Sequence, residues 1–164
     1  MADNLLSEEE SLLRNTVRDY SNDVLAERAA DYDDSGLFPW DNFKELGDMG
    51  LLGLGIGEEY GGSGGTTRLV ALAAEEIARG CAATSVVYIA HLSLCTQFIN
   101  RYGSEDQKHK YLPDLASGKK VGAFALTEPG AGSDAAAITT NSVRANGHLV
   151  VNGNKTYISN APEA

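Results

Sequence analysis

Near residue 119 the hydrophobic pattern of this chain changes its period. Before that point apolar residues recur three and four apart, as on one face of a helix. After it they fall in short runs separated by Asn-Gly pairs, as in strands joined by tight turns. Helices first and strands second point to a segregated α+β architecture, because a parallel doubly wound sheet needs the two to alternate. The expected organisation is an N-terminal all-α helical bundle over residues 1–118, followed over 119–164 by an incomplete antiparallel β-sheet, the truncated start of a β-barrel domain.

Ser7 and Glu10 form a capping box, and Leu13, Val17, Tyr20 and Val24 repeat at helical spacing, so a first helix is predicted from Ser7 to near Asp31. Pro39 suits the first position of a second helix that turns Trp40, Phe43 and Leu46 inward and stops at Gly47 and Gly50. Residues 53–65 are too rich in glycine to hold a helix and should form a loop with several left-handed positions. Thr66 caps a third helix that runs through Leu69, Ala73 and Ile77 to a stop at Gly80, with Glu75, Glu76 and Arg79 on a solvated outer face. The fourth helix, capped by Thr84, carries Val86, Val87, Ile89, Leu92, Leu94 and Phe98. It has almost no polar side and is expected to be buried all round at the centre of the bundle. Ser104 and Gln107 form a second capping box for a fifth helix with Tyr111, Leu112 and Leu115 on its apolar side. Pro113 is a point where it can bend, and Gly118 its end. Beyond it, Val121 to Leu126 suits a buried strand. The pairs Asn146-Gly147 and Asn152-Gly153 then divide the remainder into an antiparallel meander of about four strands, whose open edge should leave it less protected than the helices.

The chain has 164 residues, with 23 acidic side chains against 13 basic ones and a net charge of −10. No basic stripe is present, which excludes nucleic acid as a partner and disfavours anionic membrane surfaces. No run approaches 18 apolar residues, so no membrane span is expected. Cys81 and Cys95 sit in apolar company without C-x-x-C spacing and read as small buried hydrophobes in a reducing compartment. The N-terminus lacks the features of a signal or transit peptide, so a cytoplasmic location is expected, and the sequon at Asn154 is taken as chance. Asp106 and His109 have metal-ligand spacing but no further ligands in register, so no metal site is expected. Glu75 and Glu76 are adjacent and point about 100° apart on a helix, which rules out a catalytic carboxylate pair.

Gly130-x-Gly132-x-x-Ala135 follows a strand-like run and fits a loose dinucleotide fingerprint. That motif must open a helix crossing to a parallel strand, whereas here Thr139, Thr140 and an Asn-Gly hairpin follow, so a Rossmann phosphate loop is rejected. The turn 127–134 can still bring backbone N–H groups to an anion, with hydroxyls from Thr127 and Ser133, or it can be a β-bulge turn that binds nothing. Two longer stretches bear on this choice. They are Ala123-Phe124-Ala125-Leu126-Thr127-Glu128-Pro129-Gly130-Ala131-Gly132-Ser133-Asp134 and Asn152-Gly153-x-Lys155-x-Tyr157-Ile158-Ser159-Asn160-Ala161. Glu59-Tyr60-Gly61-Gly62, Gly103-Ser104-Glu105-x-Gln107-Lys108 and Tyr111-Leu112-Pro113 accompany them in order. In these segments, and along its whole length, the chain resembles the acyl-CoA dehydrogenases, FAD-dependent enzymes that oxidise an acyl-CoA thioester to its 2,3-enoyl form.

The resemblance implies roles at matching positions. Phe124, Leu126 and Thr127 would line the edge of the flavin ring, with Thr127 hydrogen-bonded to it. Gly132 and Ser133 would meet the FAD pyrophosphate, and Ser133 also the CoA part of the substrate. Tyr157, Ile158 and Ser159 would cover the other side of the flavin, with Tyr157 standing where many members carry tryptophan. Without the resemblance, Tyr157 is an ordinary strand aromatic and Ser159 a solvent-facing hydroxyl. His91 is read as a hydrogen-bonded core histidine, the alternative being a wall of the acyl pocket. The implied mechanism has a carboxylate take the α-proton of the thioester while the β-hydride passes to flavin N5. In most members that base is a glutamate on a C-terminal helical bundle. Glu128, an acid inside the flavin motif, belongs to the turn, so no catalytic residue is assigned. The chain is thus expected to be the N-terminal part of such an enzyme, inactive alone. Implied partners are acyl-CoA, an electron-transferring flavoprotein and, at full length, further copies of itself. The alternative is a non-catalytic helical binding or assembly module that retains the scaffold.

Overall fold

A computed structural model describes residues 5–164; the first four, part of the stretch read for a leader, lie outside the described residues. Among the described residues seven α-helices precede one hairpin. Helix α1 (Glu8–Tyr20) starts on the predicted box, with the Ser7 hydroxyl accepting from the Glu10 N–H and the Glu10 carboxylate accepting from the Ser7 N–H. It passes through a wider π-helical turn at Ser21–Leu25 into α2 (Ala26–Ser35), and stops at left-handed Gly36 instead of near Asp31. The facing helix, α4 (Thr67–Gly80), comes close at this turn. A Cβ on Gly80 would stand 2.5 Å from the Ser21 carbonyl oxygen, so this glycine permits close approach of two helices. Gly80 lies within the last turn of α4, and Cys81 follows as its cap.

Helix α3 (Trp40–Asp48) follows Pro39 and buries Phe43 and Leu46, while Trp40 stays partly exposed. The glycine loop has left-handed positions at Gly55, Gly61, Gly64 and Gly65, as expected. The next helical stretch begins earlier than predicted. Cys81, not Thr84, caps α5 (Ala82–Ile89), because the Thr84 hydroxyl instead accepts a hydrogen bond from Asn42. A second π-helical segment, Ala90–Thr96, joins α5 to α6 (Gln97–Tyr102), and the Thr96 hydroxyl donates to the His91 carbonyl within it. By length and composition Ala82–Tyr102 is apolar enough to cross a membrane, although polar residues interrupt its apolar run. Its packing accounts for that composition: Tyr88, His91 and Leu92 are fully enclosed against α3, α4 and α7 (Glu105–Ala116). It is not buried all round, however. Val86, Leu94 and Phe98 are 55%, 45% and 49% exposed, because neighbouring helices cover only one side.

Beyond α7 the expected meander reduces to one hairpin. Strands β1 (Asn141–Ala145) and β2 (His148–Asn152) pair antiparallel, with Val143 opposite Val150. Asn146 and Gly147, with φ of 51° and 78°, make the type I′ turn that Asn-Gly favours. The second Asn-Gly does not turn the chain back into a third strand; Gly153 is instead where the backbone passes close to Thr140. Residues 121–126 form no ladder among the described residues. Helix and turn side chains satisfy part of their backbone: Gly122 donates to His91 Nδ1 and accepts from Asn160 Nδ2.

Candidate functional site

Two segments thirty residues apart in sequence converge on the exposed side of the second π-helical segment. Phe124, Leu126 and Thr127 come from the first, Tyr157, Ile158 and Ser159 from the second, and Ala90 and Leu94 from the helix, together lining a cavity of about 230 Å³. The Thr156 N–H donates to the Thr127 carbonyl at 2.9 Å and fixes the register of the two segments. Phe124 packs on Phe98 with ring centroids 5.4 Å apart. Tyr157 is 91% exposed and sits at φ 55°, a conformation rarely adopted by a residue with a side chain and one that clusters at ligand sites. A cavity of about 370 Å³ adjoins the first through shared Leu94 and Phe124, and is walled also by Val70, Phe98 and Tyr102, with Arg101 its charged member.

Of the eight residues singled out from sequence, six line the first cavity. Gly132 and Ser133 do not. They lie exposed on the turn that leaves it, closed by reciprocal hydrogen bonds between Glu128 and Ala131 at 3.0 and 3.1 Å. A Cβ on Gly130 or Gly132 would meet nothing within 4 Å, so the outer face of this turn is open to a ligand. Drug-sized ligands generally fill roughly 300–1,000 Å³. A space of about 230 Å³ is smaller than that and holds only part of such a ligand.

Glu128 is nearly enclosed and works as an acceptor. Its carboxylate takes hydrogen bonds from the Thr140 N–H at 2.9 Å, from the Thr139 N–H and hydroxyl at 2.8 Å, and from Lys155 Nζ at 2.9 Å. These donors, Thr140 foremost, hold it well below the usual carboxylate range, so it is a poor base. His91 is equally committed. Nδ1 accepts from the Gly122 N–H at 2.9 Å, which leaves Nε2 as the donor to the Leu115 carbonyl at 3.0 Å. Burial pushes its pKa down to about 4, leaving a neutral core histidine rather than a wall of the cavity. His109 turns its ring edge to Tyr60, with centroids 5.0 Å apart.

Sequence reasoning placed Glu76 on a solvated face, and this is corrected. Glu76 is buried between Arg18 and Arg79, whose guanidinium groups, Arg18 first, lower its pKa. It also missed the Glu128–Lys155 pair and the buried Asn160, whose amide donates to the Val87 and Gly122 carbonyls. A signal for the first was available: Glu128 is the only charged side chain over residues 121–133 and Lys155 the only one over 149–162.

Residues 7–119 match the N-terminal domain of the acyl-CoA dehydrogenases, and residues 123–164 match their middle domain. The chain belongs to the acyl-CoA dehydrogenase family. The short-chain specific acyl-CoA dehydrogenase of Clostridium acetobutylicum is 42% identical over 94% of this chain and 41% of its own length. The acryloyl-CoA reductase (NADH) of Anaerotignum propionicum is 39% identical over 97% of this chain and 41% of its own. Among solved structures, a glutaryl-CoA dehydrogenase of Mycobacterium smegmatis in complex with FADH2 superposes with a TM-score of 0.93 at 34% identity, covering 99% of this chain and 42% of that one. The chain thus spans about two fifths of the length of these family members.

Proposed function

We propose that this chain supplies the helical and first flavin-facing parts of an FAD-dependent acyl-CoA dehydrogenase that converts an acyl-CoA thioester to its 2,3-enoyl form. One observation carries the reading: six side chains matching the family's flavin motif, from two distant segments, line a single cavity. The residues suit the cofactor. Phe124, Leu126 and Tyr157 offer apolar and aromatic surface that keeps water from a ring face, while the Thr127 and Ser159 hydroxyls offer hydrogen bonds at its edge. The open face of the glycine turn, with Ser133, offers neutral donors to a pyrophosphate, which suits a chain whose net charge is −10. Ser133 would also meet the CoA part of the substrate. FAD, when bound, supplies the hydride acceptor. Taking the α-proton falls to a carboxylate other than Glu128, whose oxygens are engaged by Thr139, Thr140 and Lys155.

Relatives named for short-chain and acryloyl-CoA substrates match at 42% and 39%, a narrow spread that supports a shared cofactor framework in this part of the chain. By the same reading the partners are acyl-CoA and an electron-transferring flavoprotein, and the full-length protein is a homo-oligomer. Gel filtration after incubation with FAD tests the proposal. Visible flavin absorbance should elute with the protein and fall in Tyr157→Ala, whereas a colourless protein peak would contradict it. With the proton acceptor assigned to a part of the family scaffold beyond these two domains, the chain alone should not reduce an electron-acceptor dye with butyryl-CoA; measurable reduction would show otherwise.

A further inference from the structure

Three stretches of chain meet on one carboxylate. Glu128 receives Thr139 and Thr140 from the approach to β1 and the Lys155 ammonium from beyond β2, while its own backbone closes the glycine turn against Ala131. Lys155 makes a second contact, donating to the Leu126 carbonyl at 2.8 Å, next to the Thr156–Thr127 backbone bond. The ion pair is enclosed, with Glu128 5% and Lys155 22% exposed, so its attraction is weakly screened. Both of these Lys155 contacts point toward the 126–128 backbone and carboxylate, and Lys155 is not part of the cavity wall.

We propose that Glu128 and Lys155 are positioning residues, a charged clamp that sets the register of segment 124–127 against segment 157–159 and anchors the glycine turn beside them. The proposal rests on the flavin reading above for its purpose, but the clamp can be tested without flavin. Without the clamp, the Thr156–Thr127 backbone bond and the Asn160 contacts to Gly122 and Val87 would remain to hold the two cavity segments, and a ligand would have to order them further on binding at the expense of affinity.

The test uses the 164-residue chain and the variants Glu128→Gln, Lys155→Met and Lys155→Arg. Amide hydrogen exchange is measured without flavin, and affinity by quenching of FAD fluorescence. In Glu128→Gln and Lys155→Met the Thr139, Thr140 and Thr156 amides should exchange about tenfold faster while amides of α4 and α5 are unchanged, and FAD affinity should fall about tenfold. Lys155→Arg should recover most of both. Exchange within about twofold of the parent in both disrupting variants overturns the clamp. So does a Lys155→Met variant that loses FAD affinity with its amides still protected, which would make Lys155 a direct ligand of the cofactor. If the parent itself leaves FAD fluorescence unquenched, the flavin reading fails while the amide exchange still decides the clamp.

Discussion

In the helices Phe43, Tyr88, Leu92 and Leu112 lose all contact with solvent, whereas every residue of the β1–β2 hairpin stays exposed. Beyond residue 120 the buried positions are few, namely Val121, Gly122, Glu128, Ala131 and Asn160, and two of these five are polar. The helical part is held by apolar area, each large side chain stabilising it by roughly 1.5–3 kcal/mol on burial. The rest is held by hydrogen bonds and one ion pair arranged around Glu128, His91 and Asn160. Such contacts contribute about 1 kcal/mol each and depend on geometry. The cavity lies where the two regimes meet, with a helix as one wall and hydrogen-bonded segments as the others.

The contrast predicts a gradient of mutational cost. Phe43→Ala, at a fully enclosed position among Phe38, Trp40 and His91, should lower helical-domain stability by about 3–5 kcal/mol in urea unfolding followed by circular dichroism. His91 links the two regions and should give them a shared pH dependence. Its folded pKa, near 4, lies below the ordinary value near 6.5, so the unfolded state binds more protons between those values. Its contribution is therefore full above about pH 6.5 and falls by roughly 2–3 kcal/mol as pH drops toward 4. His91→Leu should flatten that slope, and a slope that persists would assign it to other groups. Glu128 acts in a lower window. Its pKa is depressed, so its stabilisation is complete above the ordinary carboxylate value near ~4.3 and is lost only as pH falls further toward the folded value. Ser7→Ala should cost about 1 kcal/mol through loss of the α1 capping box. Val150→Ala on the exposed hairpin should change stability by less than about 0.5 kcal/mol. A hairpin substitution as costly as Phe43→Ala would erase the distinction.

Much of the helical part was legible because its signals are local. Ser7-x-x-Glu10 and Ser104-x-x-Gln107 form capping boxes where the spacing places them, and Thr66 caps α4. The misplaced features depend on contacts across the fold. The Thr84 hydroxyl is taken by Asn42, and Glu76 is buried by an arginine 58 positions away. The exposed side of Ala82–Tyr102 was illegible for a related reason, since apolar composition shows that a helix has cover to seek but not which side its neighbours leave open. In the site, the residue types came from resemblance and the convergence of the two segments from the structure. The expected strands at 121–126 and after Asn152-Gly153 have the right composition, yet strands need ladder partners, and here the first gives backbone groups to His91 and Asn160. A lone Asn-Gly pair is a sure turn only when strands flank it on both sides, as at Asn146 and not at Asn152.

Amide hydrogen exchange of the chain with and without FAD is the decisive measurement. Segments 124–128 and 155–160 should be the less protected without the cofactor and should gain protection when it binds, with the interior of α4 unchanged. Protection appearing elsewhere, or no change in those two segments at saturating FAD, would contradict a flavin site built from Phe124, Leu126, Thr127, Tyr157, Ile158 and Ser159.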